Sequence, residues 1–453
     1  MHSPDNHHVL ADFLPRINMA NQRSRVRRKQ RQRRASTPST PLDQLRTKQA
    51  VAAAQAKRQS IKKHKQKAIA KAKAQRSSML AQAARRARRE RWAEIAEETR
   101  SIVLGDGKYV EERPAPFVPS AVTQLPQGQV SSSVAPIHHD ISAAIILSRQ
   151  GTVFYPHYSP ALASWREERP ANTYPSTQIE FTRKSTLTVA RQLALARGQL
   201  DTSTTDIGVL SFASPKRPGG GYLHGGDEQE ETIARLSSLV ASLDAPDAKQ
   251  FYQEHRTFRT TDGSGLQDHS MVYSPGVVVF RRDVDDSAYI DVPPVFGLSR
   301  GNDDLGGEFI PPYIINVLSA VPVNAAAVRS KHVILPGEEQ LFEGGIRDAM
   351  KERMARALRA FELRGDKVLV LGAFGCGSCE NKVEMVAEIW AELLVCGETV
   401  DDVRLEARFK NSFEKVVFAI PGKLLAPFQR AFGTRELIER VSDAVSVATM
   451  DES

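Results

Sequence analysis

Gln229, Glu230 and Glu231 stand in line behind a glycine triplet, Gly219, Gly220 and Gly221, with Tyr222 to Glu228 between them. Consecutive glycines carry no Cβ atoms, so their amides can close on a phosphate. Two adjacent carboxyls beside such a loop suit a sugar site, one holding a hydroxyl and one moving a proton. Each half also has a plainer reading. A glycine triplet serves as a turn, and glutamates in a first helical turn answer the positive end of the helix dipole.

A second glycine-rich stretch, Gly372 to Cys379 (GAFGCGSC), follows the apolar run Val368 to Leu371 and precedes a helical pattern. Backbone amides there, with a helix N-terminus behind them, can cradle a diphosphate. The Cys376-x-x-Cys379 spacing also fits a dithiol redox site between strand and helix. Such a motif sits early in a small βαβ domain, whereas this one lies late in a long chain, and small thiols also serve as tight packing residues. Structural zinc needs about four ligands, and neither a second Cys pair nor a His pair accompanies this one. Neither a metal nor a cofactor is expected.

The triplet, its spacer and Gln-Glu-Glu resemble the signature of the microbial-type poly(ADP-ribose) glycohydrolases (PARGs), members of the macrodomain group. The resemblance continues in family order through Tyr273 to Asp283 (YSPGVVVFRRD), Ser319 to Val328 (SAVPVNAAAV) and Val368 to Gly377 (VLVLGAFGCG), then EMVAEIWAELL and FEKVVFAIP. It spans about Arg85 to Pro421. It implies a macrodomain-like three-layer α/β/α fold on a mixed sheet. The implied activity is hydrolysis of the ribose–ribose bonds of poly(ADP-ribose), releasing ADP-ribose. Glu231 would protonate the leaving oxygen and then serve as base toward water, and Glu230 would fix a ribose hydroxyl. Ser214, Gly219, Gly220, Gly221 and Gln229 from the first loop, with Gly375, Cys376, Gly377 and Cys379 from the second, are the implied substrate contacts. The implied partners are poly(ADP-ribose) or ADP-ribosylated proteins.

Three positions depart from the family pattern. Ser211 stands where an Asn is usual, and Cys379 where an aromatic ring usually orders the terminal ribose. Asn381-Lys382 replaces a frequent Asn-Asp. Both glutamates and both glycine loops are kept, so more of the motif supports ADP-ribose binding than supports turnover.

The elements that must position these residues read as a mixed α/β chain. Ile207 to Ala213 is an apolar strand before the first loop, and Ile233, Leu236, Leu239, Val240 and Leu243 recur behind it at helical spacing. Further strands are expected at Ala143 to Leu147, Thr152 to Tyr155, Ile179 to Thr182, Met271 to Arg281, Tyr313 to Val317 and Val416 to Ile420. Helices are expected at Trp92 to Leu104, Ser185 to Arg197, Glu338 to Leu363, Val383 to Leu394 and Leu424 to Phe432, with a frayed tail after Ser442. Glu111 to His139 reads as loop.

Among 453 residues, 41% are apolar, enough for a sizeable core, and the net charge of +9 conceals a split. Residues 1–92 hold 25 Lys and Arg against 4 Asp and Glu, and the remainder holds 37 against 49. A basic arm therefore joins an acidic body. The arm contains RSRVRRKQRQRR (Arg23 to Arg34), a candidate nuclear-import signal, and then an Ala-, Lys-, Gln- and Arg-rich stretch from Leu42 to about Arg91 suited to a long solvated helix. The expected organisation is a low-complexity arm over 1–84, a catalytic domain over 85–422, and a C-terminal helix and tail over 423–453. With three cysteines, no secretory pattern and no membrane-length apolar run, the expected setting is intracellular, nuclear or nucleocytoplasmic, with a part in the DNA damage response and no membrane partner. Oligomeric state is not legible.

Three function classes fit. The first is a poly(ADP-ribose) hydrolase. The second is a weakly catalytic or non-catalytic ADP-ribose reader tethered by its arm. In the third, nucleic acid is bound through residues 23–91 and the body is a scaffold.

Overall fold

Short runs rich in β-branched and aromatic residues form the sheet, as pleated packing on two faces favours. The computed structural model describes residues 41–112, 136–167, 174–199, 204–258, 263–286, 304–400 and 403–451. The cluster Arg23 to Arg34 and most of the expected loop from Glu111 to His139 lie outside them. Strands Val153–Tyr155 (β1), Gln178–Thr182 (β2), Ile207–Phe212 (β3), Met271–Arg281 (β4), Phe309–Ala320 (β5), Val368–Leu371 (β6) and Lys415–Ala419 (β7) form one seven-stranded sheet in the order β1-β4-β5-β3-β6-β7-β2. From β5 through β3, β6 and β7 to β2 the neighbours are parallel, and β1–β4 and β4–β5 are antiparallel.

Alternate residues of each central strand serve opposite layers, as the two-residue repeat of a strand requires. Leu210, Leu369, Leu371, Val416 and Phe418 enter one apolar cluster, whereas Ile207, Val209, Val370, Val417 and Ala419 enter another.

The α-helices of five or more residues are Pro41–Leu104 (α1), Ser142–Gly151 (α2), Thr186–Ala196 (α3), Gln229–Leu236 (α4), Leu239–Leu243 (α5), Pro246–Phe258 (α6), Ala325–Lys331 (α7), Glu339–Arg364 (α8), Val383–Ala391 (α9) and Leu425–Asp451 (α10). Buried residues of α8, α9 and α10 cover the first cluster, and those of α3, α4, α5 and α6 cover the second. The result is the three-layer α/β/α arrangement on a mixed sheet.

The chain divides into two compact units, Met1–Ala83 and Ala84–Ser453. In the first, the described part of α1 has its side chains in solvent. In the second, the end of the same helix buries Ile95, Ala96, Thr99 and Val103. The helix expected over Trp92 to Leu104 is therefore the last part of one 64-residue element.

Ala143 to Leu147, expected as a strand, lies within α2. Asp140 explains its start, because Oδ1 accepts from both the backbone N and the Oγ of Ser142, at 3.0 and 2.6 Å. Ile145 and Ser148 are buried while Ile146 and Leu147 are exposed, a helical pattern that a short apolar run does not distinguish from a strand. At the other end, α10 continues past Ser442 to Asp451 instead of fraying, and Phe428 and Phe432 anchor its first half in the core.

Gly208 of β3 faces the Phe361 ring of α8 so closely that a Cβ would lie 2.6 Å from it. The helix thus packs directly on the strand that carries the first glycine loop. Phe361 is fully buried. We expect Phe361→Ala to lower the unfolding free energy by about 3–5 kcal/mol, read from urea denaturation.

Candidate functional site

Because β5, β3 and β6 are parallel neighbours, their carboxyl ends and the loops after them open at one edge of the sheet. The antiparallel β4 starts at that edge, with Met271 opposite Ala320, so the segment before it joins them. Together these loops and α7 enclose a cleft of about 960 Å³. Clefts at strand carboxyl ends are where open α/β sheets take their ligands.

The first turn of α4 closes one wall. Gln229 ties it to β3, since Oε1 accepts from Phe212 N at 2.8 Å and Nε2 donates to Leu210 O at 2.9 Å. Glu230 is 2% exposed, and its Oε2 accepts from Ser214 N at 2.7 Å. Its Oε1 is buried without a protein partner. Burial pushes the Glu230 carboxyl up to about 8, against the lowering effect of the Ser214 amide. Glu231 is the third helical residue of a capping box. Its Oε1 accepts from Gly221 N at 2.7 Å and its Oε2 from Glu228 N at 2.9 Å.

The glycines make this arrangement sterically feasible. A Cβ on Gly220, which has φ +56°, would stand 3.1 Å from Glu230 Oε2 and 3.3 Å from Glu231 Oε1. Both carboxyls therefore flank the same point of the triplet. A Cβ on Gly226 would lie 2.0 Å from Glu231 Oε2, inside the carboxyl itself.

The second loop faces the first. Glu228 hydrogen-bonds Ser378, and its carboxyl is raised by burial and then by the charges of Glu231 and Asp227. Asn381 anchors this loop to the end of β5, donating from Nδ2 to Val323 O at 2.7 Å and Gly375 O at 3.1 Å. Arg353 lies beneath, donating to Val321 O at 2.9 Å and Gly265 O at 2.6 Å. Burial takes its guanidinium down to about 10.

Residues 127–282 match the family described as microbial-type PARG, catalytic domain. A crystal structure of poly(ADP-ribose) glycohydrolase from Thermomonospora curvata aligns with TM-score 0.55 and 28% identity, over 76% of this chain and 99% of that one. The same enzyme bound to the inhibitor ADP-HPD aligns over the same shares with TM-score 0.53 and 28% identity. No curated protein matches the chain. Over these stretches the chain is similar to microbial-type PARG catalytic domains.

Of the residues expected at a PARG site, Ser214, Gly220, Gly221, Glu230, Glu231, Gly375, Gly377 and Cys379 line the cleft. Gly219, Gln229 and Cys376 do not. Gly219 packs against Ala234 and Tyr222, Gln229 fastens α4 to β3, and Cys376 turns into the apolar core.

The departures from the family pattern have different weights. Ser211 is buried within β3 and away from the cleft, whereas Cys379 sits on the cleft wall, where the family places a ring. Phe212 and Phe258 supply aromatic surface to the same cleft from elsewhere. The electrostatics give the dithiol redox reading no support. Burial pushes the Cys376 thiol up to about 12 and raises Cys379 as well, whereas a redox thiol needs its value lowered.

Sequence reading missed several lining residues. Lys216 and Arg217 are separated from the triplet by Pro218 alone, and their basic pair was a usable signal. Asn324 caps α7 by accepting from Ala327 N at 3.0 Å, and an Asn before an alanine run is such a signal too. His255 and Asp268 form a buried side-chain pair on the cleft wall, and nothing in their separation announces it. Burial works to raise Asp268, but hydrogen bonds and charge from His255, together with Ser270, hold it at about 2.

A match to bacterial enzymes lends no support to a nuclear setting. Among the described residues no helix is long and apolar enough to cross a membrane, and no group of three or more His, Cys, Asp or Glu could hold a metal ion.

The raised value of Glu230 makes stability depend on pH. Folding favours its protonated form, so the stabilisation is complete below about 4.5, falls as pH rises, and is lost above about 8. Glu230→Gln should therefore be more stable than the wild type by an amount that grows between pH 5 and 8, on the order of 1 kcal/mol per pH unit, and then levels off. Urea denaturation at pH 5, 7 and 8.5 reads this. A difference independent of pH would mean that Glu230 is not held neutral.

Proposed function

We propose that the protein hydrolyses poly(ADP-ribose) at ribose–ribose glycosidic bonds and releases ADP-ribose. The observation that carries this reading is the pair Glu230 and Glu231 flanking one point of the glycine triplet, in a cleft whose opposite wall is a second glycine loop. Diphosphate would be held by amides of the two loops, with Lys216 and Arg217 at the first, fixing the terminal ribose against the carboxyls. Glu231 gives its proton to the leaving ribose oxygen as the bond to the anomeric carbon breaks. Water then adds to that carbon and returns a proton to Glu231. Glu230, neutral at pH 7, offers its unpartnered buried oxygen to a ribose hydroxyl. The capping-box bonds hold Glu231 in one rotamer, so little reorganisation accompanies the proton transfer.

One observation favours a variant of this scheme. With a value of about 8, Glu230 is itself equipped to carry the proton, with Glu231 acting on the ribose. The two assignments differ in which substitution is fatal.

Release of free ADP-ribose from poly(ADP-ribose), beside Glu231→Gln and Glu230→Gln, separates them. We expect Glu231→Gln to lose at least 10²-fold in turnover while still binding ADP-ribose in calorimetry. The wild-type rate should fall above about pH 8, as ionisation of Glu230 removes the proton that it offers to the ribose hydroxyl. Glu230→Gln should retain measurable turnover and lose that alkaline fall. A dead Glu230→Gln with an active Glu231→Gln would exchange the roles. Binding of ADP-ribose without release by the wild type would make the protein a reader.

A further inference from the structure

The part of α1 in the first compact unit is unlike a helix built to pack against protein. Between Arg46 and Arg76 it holds eleven Lys and Arg and no Asp or Glu. All eleven side chains are exposed. At 100° per residue these charges fall on every side of the helix rather than along one stripe. Apart from alanine, its apolar residues are few, and among Leu42, Leu45, Val51, Ile61, Ile69, Met79 and Leu80 only Leu42 and Leu45, at its very start, stand three, four or seven residues apart. The helix therefore lacks both the seam of a coiled coil and the apolar face of a membrane-surface helix.

We propose that this segment of α1 is a docking surface for duplex DNA, which it grips by phosphates without reading sequence. Charge density favours that partner. Arg46 to Arg76 spans about 46 Å of helix, roughly one positive charge per 4 Å, and B-DNA offers about one phosphate per 1.7 Å of axis. Condensed counterions are then released on contact, and this supplies the affinity. Poly(ADP-ribose) carries its charge in widely spaced diphosphates, separated by adenines and riboses that reward stacking. The segment has no Phe, Tyr or Trp to stack on them. Shape agrees, because an α-helix of about 10–12 Å fits the roughly 12 Å major groove of B-DNA but not the deep, narrow groove of A-form RNA. Alanines between the cations keep the helix slim enough to enter. This inference is independent of the hydrolase reading, because no cleft residue takes part in it.

The test is fluorescence anisotropy of a labelled 30-base-pair duplex with the full-length protein across a salt series. The comparison is a full-length variant with Lys62, Lys63, Lys65 and Lys67 changed to Gln, which keeps helix propensity. We expect log K to fall steeply with log salt in the wild type, and the variant to bind about tenfold or more weaker with a slope reduced by up to about 4. Two duplexes of unrelated sequence should bind alike. Circular dichroism should show unchanged helix content, and ADP-ribose release should be unaffected. An unchanged slope in the variant would overturn the proposal. So would displacement of the duplex by poly(ADP-ribose) or by phosphatidylserine vesicles at equal phosphate concentration.

Discussion

Three side chains in one helical turn hold the site together. Gln229, Glu230 and Glu231 accept hydrogen bonds from Phe212 N, Ser214 N, and Gly221 and Glu228 N respectively. Those amides belong to the end of β3, the start of the glycine loop, the triplet and the helix cap, so the turn fastens the whole loop to the sheet. A buried donor left unpaired costs about 1–3 kcal/mol, and several would be lost together if the turn moved. The carboxyls that could do chemistry are therefore also the loop's anchors. This coupling explains why glycine is required beside them, since any Cβ at Gly226 would occupy the carboxyl of Glu231.

The support extends outward through buried arginines. Arg235 donates to Gly226 O at 2.8 Å and lies over the Trp92 ring, 4.7 Å from its centroid. Trp92 in turn donates to Leu305 O at 3.1 Å, so the last turns of α1 brace the glycine loop from behind. On the other side Arg353 joins the loop before β4 to the segment after β5. Each is a fork of fixed geometry aimed at backbone carbonyls, which suits the positioning of irregular segments that lack a hydrogen-bond ladder. Burial lowers both guanidiniums to about 10 and still leaves them charged at neutral pH.

The second glycine loop illustrates how one motif can mean different things. Its two thiols have the spacing of a redox pair, yet Cys376 turns toward Phe374 O and the core while Cys379 faces the cleft. Neither is stabilised as thiolate. Asn381, noted in the sequence only as one half of a changed dipeptide, is the residue that fixes the loop to Val323 and Gly375. Aromatic surface, absent at position 379, reaches the cleft from β3 and from the end of α6.

Much of the architecture follows from local pattern. The strand before each glycine loop, the helix after it, the strands β4 and β7 and the long α8 were legible because runs of Val, Ile, Leu and Phe, or apolar residues at helical spacing, leave little local choice. The same logic misread Ala143 to Leu147, where five apolar residues suit either element and Asp140 starts a helix. It also did not mark α6, whose buried Phe251, Tyr252 and His255 are mixed with charged residues. The first loop, its glutamates and the basic character of the arm were likewise present in residue order alone. Which of the paired glutamates has its carboxyl raised by burial, which thiol faces the cleft, and that His255 and Asp268 join its wall were decided by tertiary structure. Burial and approach between distant segments set those properties, and neither is a function of neighbouring residues.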